Sequence, residues 1–434
     1  MSSGATSRPA TGRLSREERD IQSFLRLGYF IHYEADRRPI DFARIDRAAW
    51  AHTPPAELRR IGLEKARETF AALYRPGGLH LIPLSGGMDS RFILACLLEH
   101  TDAGNLHTLT YGTPGTYDFE IGCKLAKFVG TRHSAIPINK YSYHLDELLD
   151  TAKRTQNQAL LFHHPPLWEM DRRFGGATIW SGYVGDAVAG SHLHDPPATS
   201  LDAARRAHLH HRTFVHSTRL HTCDDDEFLP YMGGGGMDPH ALTWDEQVLF
   251  GEAVAKFTAP LVLFDGFDWQ TPLINTPWMD LLFSVPDHER HGQKLMFDIG
   301  REAFPKLFNF PCKNRVGHTF DTPDAIVKAT FYLNRARRLA HRFIPGIQWP
   351  SSQFNDFNEE LRRSPDLREI VRGSVADLKA RGICDWIDVD ALWRRHDRRT
   401  HDHGDALVTM ASLEIVLKSR ELAERSASSA RAQP

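Results

Sequence analysis

The 434-residue sequence has few of the features that mark secreted, membrane and nucleic-acid-binding proteins. Its five cysteines are scattered and include no Cys-x-x-Cys pair, which predicts free thiols and a reducing, cytoplasmic location. No apolar run approaches the roughly 20 residues that a bilayer span requires. The 53 basic and 55 acidic residues leave a formal charge of −2, without the basic surplus typical of nucleic-acid binding. We therefore expect no membrane and no nucleic acid among its partners.

The composition is that of a globular protein, with 41% hydrophobic and 25% charged residues. The two ends of the chain are more polar than the rest. The N-terminal end also lacks the apolar segment of a secretory signal. Residues 1–20 and 425–434 are therefore predicted as disordered tails. Residues 21–76 are predicted as an N-terminal linker segment with one helix, and residues 321–424 as a helical C-terminal region.

Between these regions, strand-like and helix-like stretches alternate. Strands are predicted at residues 79–84, 106–111, 133–138 and 178–181, and helices at residues 91–100, 119–129 and 143–157. Strand, helix, strand at this spacing predicts parallel strands joined by right-handed crossovers. The expected fold class is α/β, with a parallel-sheet nucleotide-binding core that binds its ligand at the carboxyl ends of the strands.

The most informative string is Ser-Gly-Gly-Met-Asp-Ser at residues 85–90, between the first predicted strand and its helix. Glycines let backbone amides approach an anion closely, and a helix N-terminus adds unpaired N–H groups. A carboxylate at Asp89 is suited to Mg²⁺ on a polyphosphate. The alternative is an ordinary glycine-rich turn capped by polar side chains. The predicted nucleotide-binding residues of this loop are Leu84, Ser85, Gly86, Gly87, Asp89 and Ser90.

This string resembles the pyrophosphate-binding SGGxDS loop of the N-type ATP pyrophosphatases, and the Walker pattern GxxxxGK[ST] is absent. Residues 77–320 are similar to the synthetase domain of the asparagine synthetase family, which includes β-lactam synthetase and lasso-peptide cyclases. The resemblance implies ATP and Mg²⁺ as cofactors. It also implies that the backbone near Tyr111 and Gly112, in the string HTLTYGTPGTYD, recognises adenine.

Two later blocks carry the same resemblance. The string SGYVGDAVAG at residues 181–190 is similar to the family's second anion loop, in which Asp186 would be a second Mg²⁺ carboxylate opposite Asp89. Ser181 and Gly182 would line the nucleotide pocket. The string FPCKNRVG at residues 310–317 is similar to the family's late basic loop, so that Lys313 would face the α-phosphate.

The sequence also departs from the family pattern. It has no cysteine at position 2 and no length for the glutaminase domain that feeds ammonia to asparagine synthetases. Tyr183 stands where asparagine synthetases carry glutamate, and this resembles the tyrosine of the β-lactam synthetase catalytic dyad. Gln270 and Asn275 replace residues that are usually charged. The substrate pocket is therefore not expected to suit free aspartate.

The sequence predicts an ATP-dependent ligase that adenylates a carboxylate and transfers the acyl group to an amine or ammonia, in a natural-product or surface-glycan pathway. Its expected partners are a small-molecule or peptide carboxylate and an amine donor. A separate ammonia-supplying or pathway protein is the alternative source of nitrogen, as is free ammonia. One alternative is a tRNA-modifying ATP pyrophosphatase, which the near-neutral charge and the lack of paired cysteines disfavour. Another is a non-catalytic interaction subunit.

Overall fold

The computed structural model describes residues 14–34, 40–158, 160–235, 237, 240–341 and 354–431. Five short parallel strands form one sheet in the order β3-β2-β1-β4-β5, which confirms the predicted α/β class. The fifth strand was not predicted from the sequence. The strands are β1 (His80–Pro83), β2 (Leu106–Gly112), β3 (Arg132–Pro137), β4 (Thr178–Trp180) and β5 (Asp268–Gln270).

Helices surround this sheet and make up most of the described C-terminal half. Those up to the end of β4 are α1 (Arg16–Leu27), α2 (Pro55–Leu73), α3 (Asp89–Leu97), α4 (Tyr117–Val129), α5 (Leu145–Arg154) and α6 (Leu167–Phe174). Those between β4 and residue 320 are α7 (Gly185–Val188), α8 (Leu201–His211), α9 (Trp244–Val248), α10 (Ala259–Val262), α11 (Trp278–Ser284), α12 (Asp287–Arg290), α13 (Lys294–Ala303) and α14 (Pro305–Phe308). Later helices are α15 (Asp324–His341), α16 (Phe357–Arg363), α17 (Pro365–Ala380), α18 (Val389–Asp397) and α19 (Gly404–Arg431). A π-helix, Leu249–Thr258, joins α9 to α10.

The strand register places the predicted functional loops at one edge of the sheet. His80 of β1 pairs with Leu106 of β2 on one side and with Thr178 of β4 on the other. Because all three strands run in the same direction, the loops that follow them leave the sheet at the same edge. The strings at residues 84–90, 112–116 and 181–186 therefore meet there, although they are far apart in the sequence.

The described residues contain two hydrophobic cores. One surrounds the sheet and includes the buried faces of α2, α3, α11 and α13. The other lies among α1, α5, α17 and α19, so that the N-terminal helix packs against the C-terminal one. No described helix is both long enough and apolar enough to cross a bilayer.

Helices extend into both segments that were predicted as tails. Helix α1 begins at Arg16, inside the predicted tail of residues 1–20, because Ser15 and Glu18 form a capping box. Phe24 and Leu25 then bury the helix in the second core. At the other end α19 continues to Arg431, well into the predicted tail of residues 425–434. Residues 1–13 and 432–434, and residues 342–353 of the predicted helical region, lie outside the described part of the chain.

Candidate active site

The loop after β1 is a tight turn organised by its own hydroxyls. The backbone N–H of Ser85 donates to Ser90 Oγ at 3.3 Å, and the N–H of Gly87 donates to Ser85 Oγ at 3.1 Å. The N–H of Leu84 donates to the carbonyl of Leu109 in β2 at 2.7 Å, which fixes where the loop leaves the sheet. Each serine accepts from an amide and keeps its own O–H for donation to an anion.

The loop after β4 comes into direct contact with the first one. A Cβ built on Gly182 would lie 2.9 Å from Cβ of Asp89, so only glycine lets the two loops approach this closely. Ser181 fixes the start of this loop, because its N–H donates to the carbonyl of Gln270 in β5 at 2.8 Å. The structure thus brings Ser181, Gly182 and Asp186 to the same place as Asp89.

The two predicted metal carboxylates have different environments. Oδ1 of Asp89 is buried and has no hydrogen-bond partner among the described residues. Burial and the neighbouring carboxylate of Asp186 raise the pKa of Asp89 to about 8, while the ammonium of Lys313 opposes this shift. A buried carboxylate oxygen without a partner is costly in free energy, and a bound cation would remove that cost.

Asp186 is more accessible, with 45% of its side chain exposed. Ser191 Oγ donates to its Oδ2 at 3.2 Å, and His192 Nε2 lies 3.4 Å from the same atom. Burial acts to raise the pKa of Asp186. The hydrogen bond and charge of His192, together with hydrogen bonds from Ser191 and the backbone of Ala187, outweigh burial and lower the pKa overall. Asp186 is therefore ionised at neutral pH and can attract a cation to the pair.

These carboxylates fit Mg²⁺ on a phosphate better than a metal held entirely by protein. Within the described ranges, no group of three or more His, Cys, Asp and Glu side chains converges as a metal site. Mg²⁺ usually keeps several waters and binds through one or two carboxylates together with substrate phosphates. Asp89 and Asp186 match that requirement in residue type and number.

Lys313 reaches the first loop from the late part of the chain. Its backbone N–H donates to the carbonyl of Gly86 at 3.0 Å, and its Nζ donates to Asp118 Oδ2 at 3.1 Å. The other carboxylate oxygen of Asp118 accepts from the N–H of Gly86 at 3.0 Å. Asp118 therefore joins the lysine to the glycine loop. The sequence indicated no such role for it, because Asp118 looks like an ordinary acidic residue in the first turn of a helix.

Arg91 holds the segment before Lys313 in place, a role that the sequence did not indicate. Its fully buried guanidinium donates to the carbonyls of Leu307, Phe310 and Pro311 at 3.1, 2.8 and 2.7 Å. These carbonyls belong to the segment that leads into the Lys313 loop. Arg91 thus ties helix α3, which begins at Asp89, to the segment that carries the lysine.

Replacing Arg91 with methionine is expected to lower the free energy of unfolding by about 3 kcal/mol, since three partly buried carbonyls lose the donor that a fully buried guanidinium provides. Chemical denaturation at fixed pH measures this change. The matched control is Arg60→Met, because Arg60 is an exposed arginine whose ion pairs to Glu57 and Glu64 lie on the surface of α2. The control is expected to change the free energy of unfolding little, because exposed ion pairs contribute little to stability. Equal effects of the two substitutions would contradict the positioning role.

Phe354, from a distant part of the chain, covers the predicted adenine edge, which is the end of β2 at Tyr111 and Gly112. Gly112 has a φ of +139°, and a Cβ on it would lie 2.4 Å from the carbonyl oxygen of Phe354. The N–H of Thr113 donates to that oxygen at 2.8 Å, and the rings of Tyr111 and Phe354 are 5.6 Å apart. Any ligand at this edge would therefore also contact residue 354, which no local sequence signal connects to residue 112.

Tyr183 lies in the second loop but belongs to the hydrophobic core around the sheet, with 5% of its surface exposed. Its backbone N–H donates to Ser181 Oγ at 3.1 Å. A phenol can act as a base only where the reacting amine reaches it. A catalytic role for Tyr183 stays a prediction.

Comparison with known proteins gives a limited result. No family model matches the chain. Asparagine synthetase (glutamine-hydrolyzing) 2 of Arabidopsis thaliana is 27% identical over 131 residues, which cover 26% of this chain and 21% of that protein. The chain thus spans about a fifth of the length of the curated relative that it matches. This local similarity supports an asparagine-synthetase-like relationship at most.

Proposed function

We propose that this chain is an ATP- and Mg²⁺-dependent ligase that forms an amide through an acyl-adenylate. The observation that carries the proposal is the meeting of a glycine loop, two carboxylates and one lysine at the carboxyl edge of a parallel sheet. The local similarity to an asparagine synthetase supports the same class of reaction. Each of these groups matches one requirement of nucleotide activation.

The first step would join a substrate carboxylate to the α-phosphorus of ATP and release pyrophosphate. The two serine hydroxyls of residues 85–90 and the unpaired N–H groups of the first turn of α3 would bind the departing pyrophosphate. Lys313 would stabilise negative charge at the α-phosphate. Asp89 and Asp186 would hold Mg²⁺, which neutralises phosphate charge when bound. Asp118 keeps the ammonium of Lys313 beside the loop.

In the second step an amine or ammonia would attack the acyl carbon, forming the C–N bond as the bond to AMP breaks. The amine loses a proton in this step, and Tyr183 is the residue proposed to accept it, which requires its ionised phenolate form. The nitrogen would come from an amine on a substrate, from free ammonia or from an ammonia-supplying partner. An amine on the acyl substrate itself would make the reaction a cyclisation.

The test is pyrophosphate release from Mg·ATP with a panel of carboxylic acids and ammonia, together with equilibrium binding of a non-hydrolysable ATP analogue. Asp186→Asn is expected to lower pyrophosphate release at least about 100-fold, because the metal loses one of two protein ligands. The matched control is Asp202→Asn, since Asp202 is an exposed aspartate on α8. A folded wild-type chain that does not bind Mg·ATP, or full activity in Asp186→Asn, would refute the proposal.

A further inference from the structure

Arg212 carries a positive charge that is not part of an ion pair with any described residue. It follows α8, and its backbone N–H closes that helix by donating to the carbonyl of His208 at 2.8 Å. The guanidinium lies 5.1 Å from the centroid of the Phe257 ring, but it forms no hydrogen bond or ion pair with any residue in the described ranges. Its nitrogens are not among the fully buried polar atoms that lack a partner, so they reach solvent. A guanidinium has five N–H donors, and those of Arg212 are therefore accessible to a ligand.

Three ionisable side chains near Arg212 interact with its charge over a distance but form no direct ion pair with it. Burial lowers the pKa of Arg212, while Tyr29, Glu252 and Asp186 act in the opposite direction, so all three lie within electrostatic range. Glu252 is already paired with Lys256, whose Nζ lies 2.9 Å from its Oε2. Asp186 has its own contacts with Ser191 and His192, described above.

The remaining neighbour is His208, on the preceding turn of α8. Its Nε2 is buried and has no partner among the described residues, and burial lowers the pKa of this imidazole to about 3. His208 is therefore neutral at pH 7 and adds no charge. The guanidinium of Arg212 and the Nε2 atom of the neighbouring His208 thus both lack a hydrogen-bond partner among the described residues.

A row of aromatic rings connects Arg212 with the predicted adenine edge. The Phe257 ring is 5.8 Å from that of Phe214, and Phe214 is 5.3 Å from His163. His163 is in turn 5.8 Å from Phe354, which contacts Tyr111 and Gly112. Phe214 and His163 keep exposed surface. Arg212 therefore lies near Asp186 at one end of the candidate active site. The partly exposed aromatic surface leads to the predicted adenine-binding residues at the other end.

We infer that Arg212 binds the carboxylate of the acyl substrate and that this substrate has an apolar body that packs on Phe214 and His163. The inference rests on the proposed function and names its substrate class. A single unpaired guanidinium matches a monoanionic carboxylate, with which it forms two parallel N–H···O bonds. The position near Asp186 would bring that carboxylate close to the residues that would hold Mg²⁺ and the nucleotide phosphates.

The probes are the carboxylates acetate, benzoate and hippurate. Benzamide and hippuramide, the uncharged amides of the last two, are the controls for charge. Isothermal titration calorimetry measures their binding to the full chain, with and without Mg²⁺ and a non-hydrolysable ATP analogue. We expect the binding affinity to increase from acetate to benzoate to hippurate. Benzoate and hippurate should each bind more tightly than the corresponding amide. Arg212→Gln should weaken hippurate binding at least tenfold, and Arg212→Lys should retain part of it.

The matched control is Arg206→Gln, because Arg206 lies on the same helix with 53% of its side chain exposed and pairs with Asp202 and Asp226. It should bind hippurate like the wild type. Equal hippurate affinity in Arg212→Gln and the wild type, no binding of any acid to the wild type, or no preference for acid over amide would each overturn the inference. A loss of ATP-analogue binding in Arg212→Gln equal to the loss of hippurate binding would assign Arg212 to the phosphates and also overturn it.

These outcomes separate the inference from the proposed function. If the wild type binds Mg·ATP analogue but none of the acids, only the assignment of Arg212 and of the substrate class fails. If the acids bind through Arg212 but the chain does not bind Mg·ATP, the proposed function fails while the anion site stands.

Discussion

Replacing Lys313 with methionine is expected to slow pyrophosphate release at least about 100-fold while leaving binding of the ATP analogue within a few-fold of the wild type. The ammonium would act on charge that develops at the α-phosphate, and removing one such preorganised donor typically lowers the rate by two to three orders of magnitude. Methionine keeps the length and apolar stem of lysine, so the loop contact between residues 313 and 86 is preserved. Steady-state pyrophosphate release and calorimetry measure the two quantities.

Lys306 provides the matched control, because it is an exposed lysine in α14, a few residues before the same loop. Lys306→Met should leave both quantities unchanged. Substituting Asp118 with asparagine tests the positioning of Lys313, since the lysine would keep its charge but lose its ionic partner. An intermediate loss of rate is expected there. Wild-type rates in Lys313→Met would rule out the role assigned to this lysine.

Replacing Asp89 with asparagine is expected to abolish pyrophosphate release and, at the same time, to stabilise the chain in the absence of nucleotide and metal. The carboxylate is buried beside Asp186, and ionising it there is unfavourable. Asparagine keeps the shape and removes the charge, and with it a ligand for Mg²⁺. A gain in free energy of unfolding on the order of a few kcal/mol is expected above pH 8.

The pH dependence of this gain follows from the raised pKa of Asp89, which is about 8 in the folded chain against an ordinary value of 3.8. Between these two values the folded chain keeps a proton on Asp89 that the unfolded chain has lost. Stability therefore falls as the pH rises from about 4 to about 8, with a limiting slope of about 1.4 kcal/mol per pH unit from this group. Asp89→Asn should remove that contribution.

Denaturation of the wild type and of Asp89→Asn at pH 5, 7 and 9 measures the difference, which should grow with pH. Saturating Mg·ATP should stabilise the wild type more than Asp89→Asn, because the metal favours the ionised carboxylate. A stability difference that does not change between pH 5 and pH 9 would show that Asp89 ionises normally. Asp150→Asn is the control, since Asp150 forms a partly exposed ion pair with Arg154 within α5.

Much of the candidate site could be predicted from short strings, because the features that define it are local. A glycine pair between a strand and a helix predicts a tight turn whatever the rest of the chain does. The strands at residues 80–83 and 106–112 also followed from local composition. Helix α1 shows the limit of this reasoning, since its capping box is visible in the sequence while its burial against α19 is not.

The sequence by itself determined the chemistry available to this protein: the glycine loop at residues 85–90, the carboxylates of Asp89 and Asp186, and the lysine at position 313. Only the tertiary structure decided which groups position them. Asp118 contacts Gly86 across 32 residues and Lys313 across 195, and Arg91 reaches the carbonyl of Leu307 across 216. A hydrogen bond over such separations depends on how strands and helices pack, and no local pattern of residues encodes that packing.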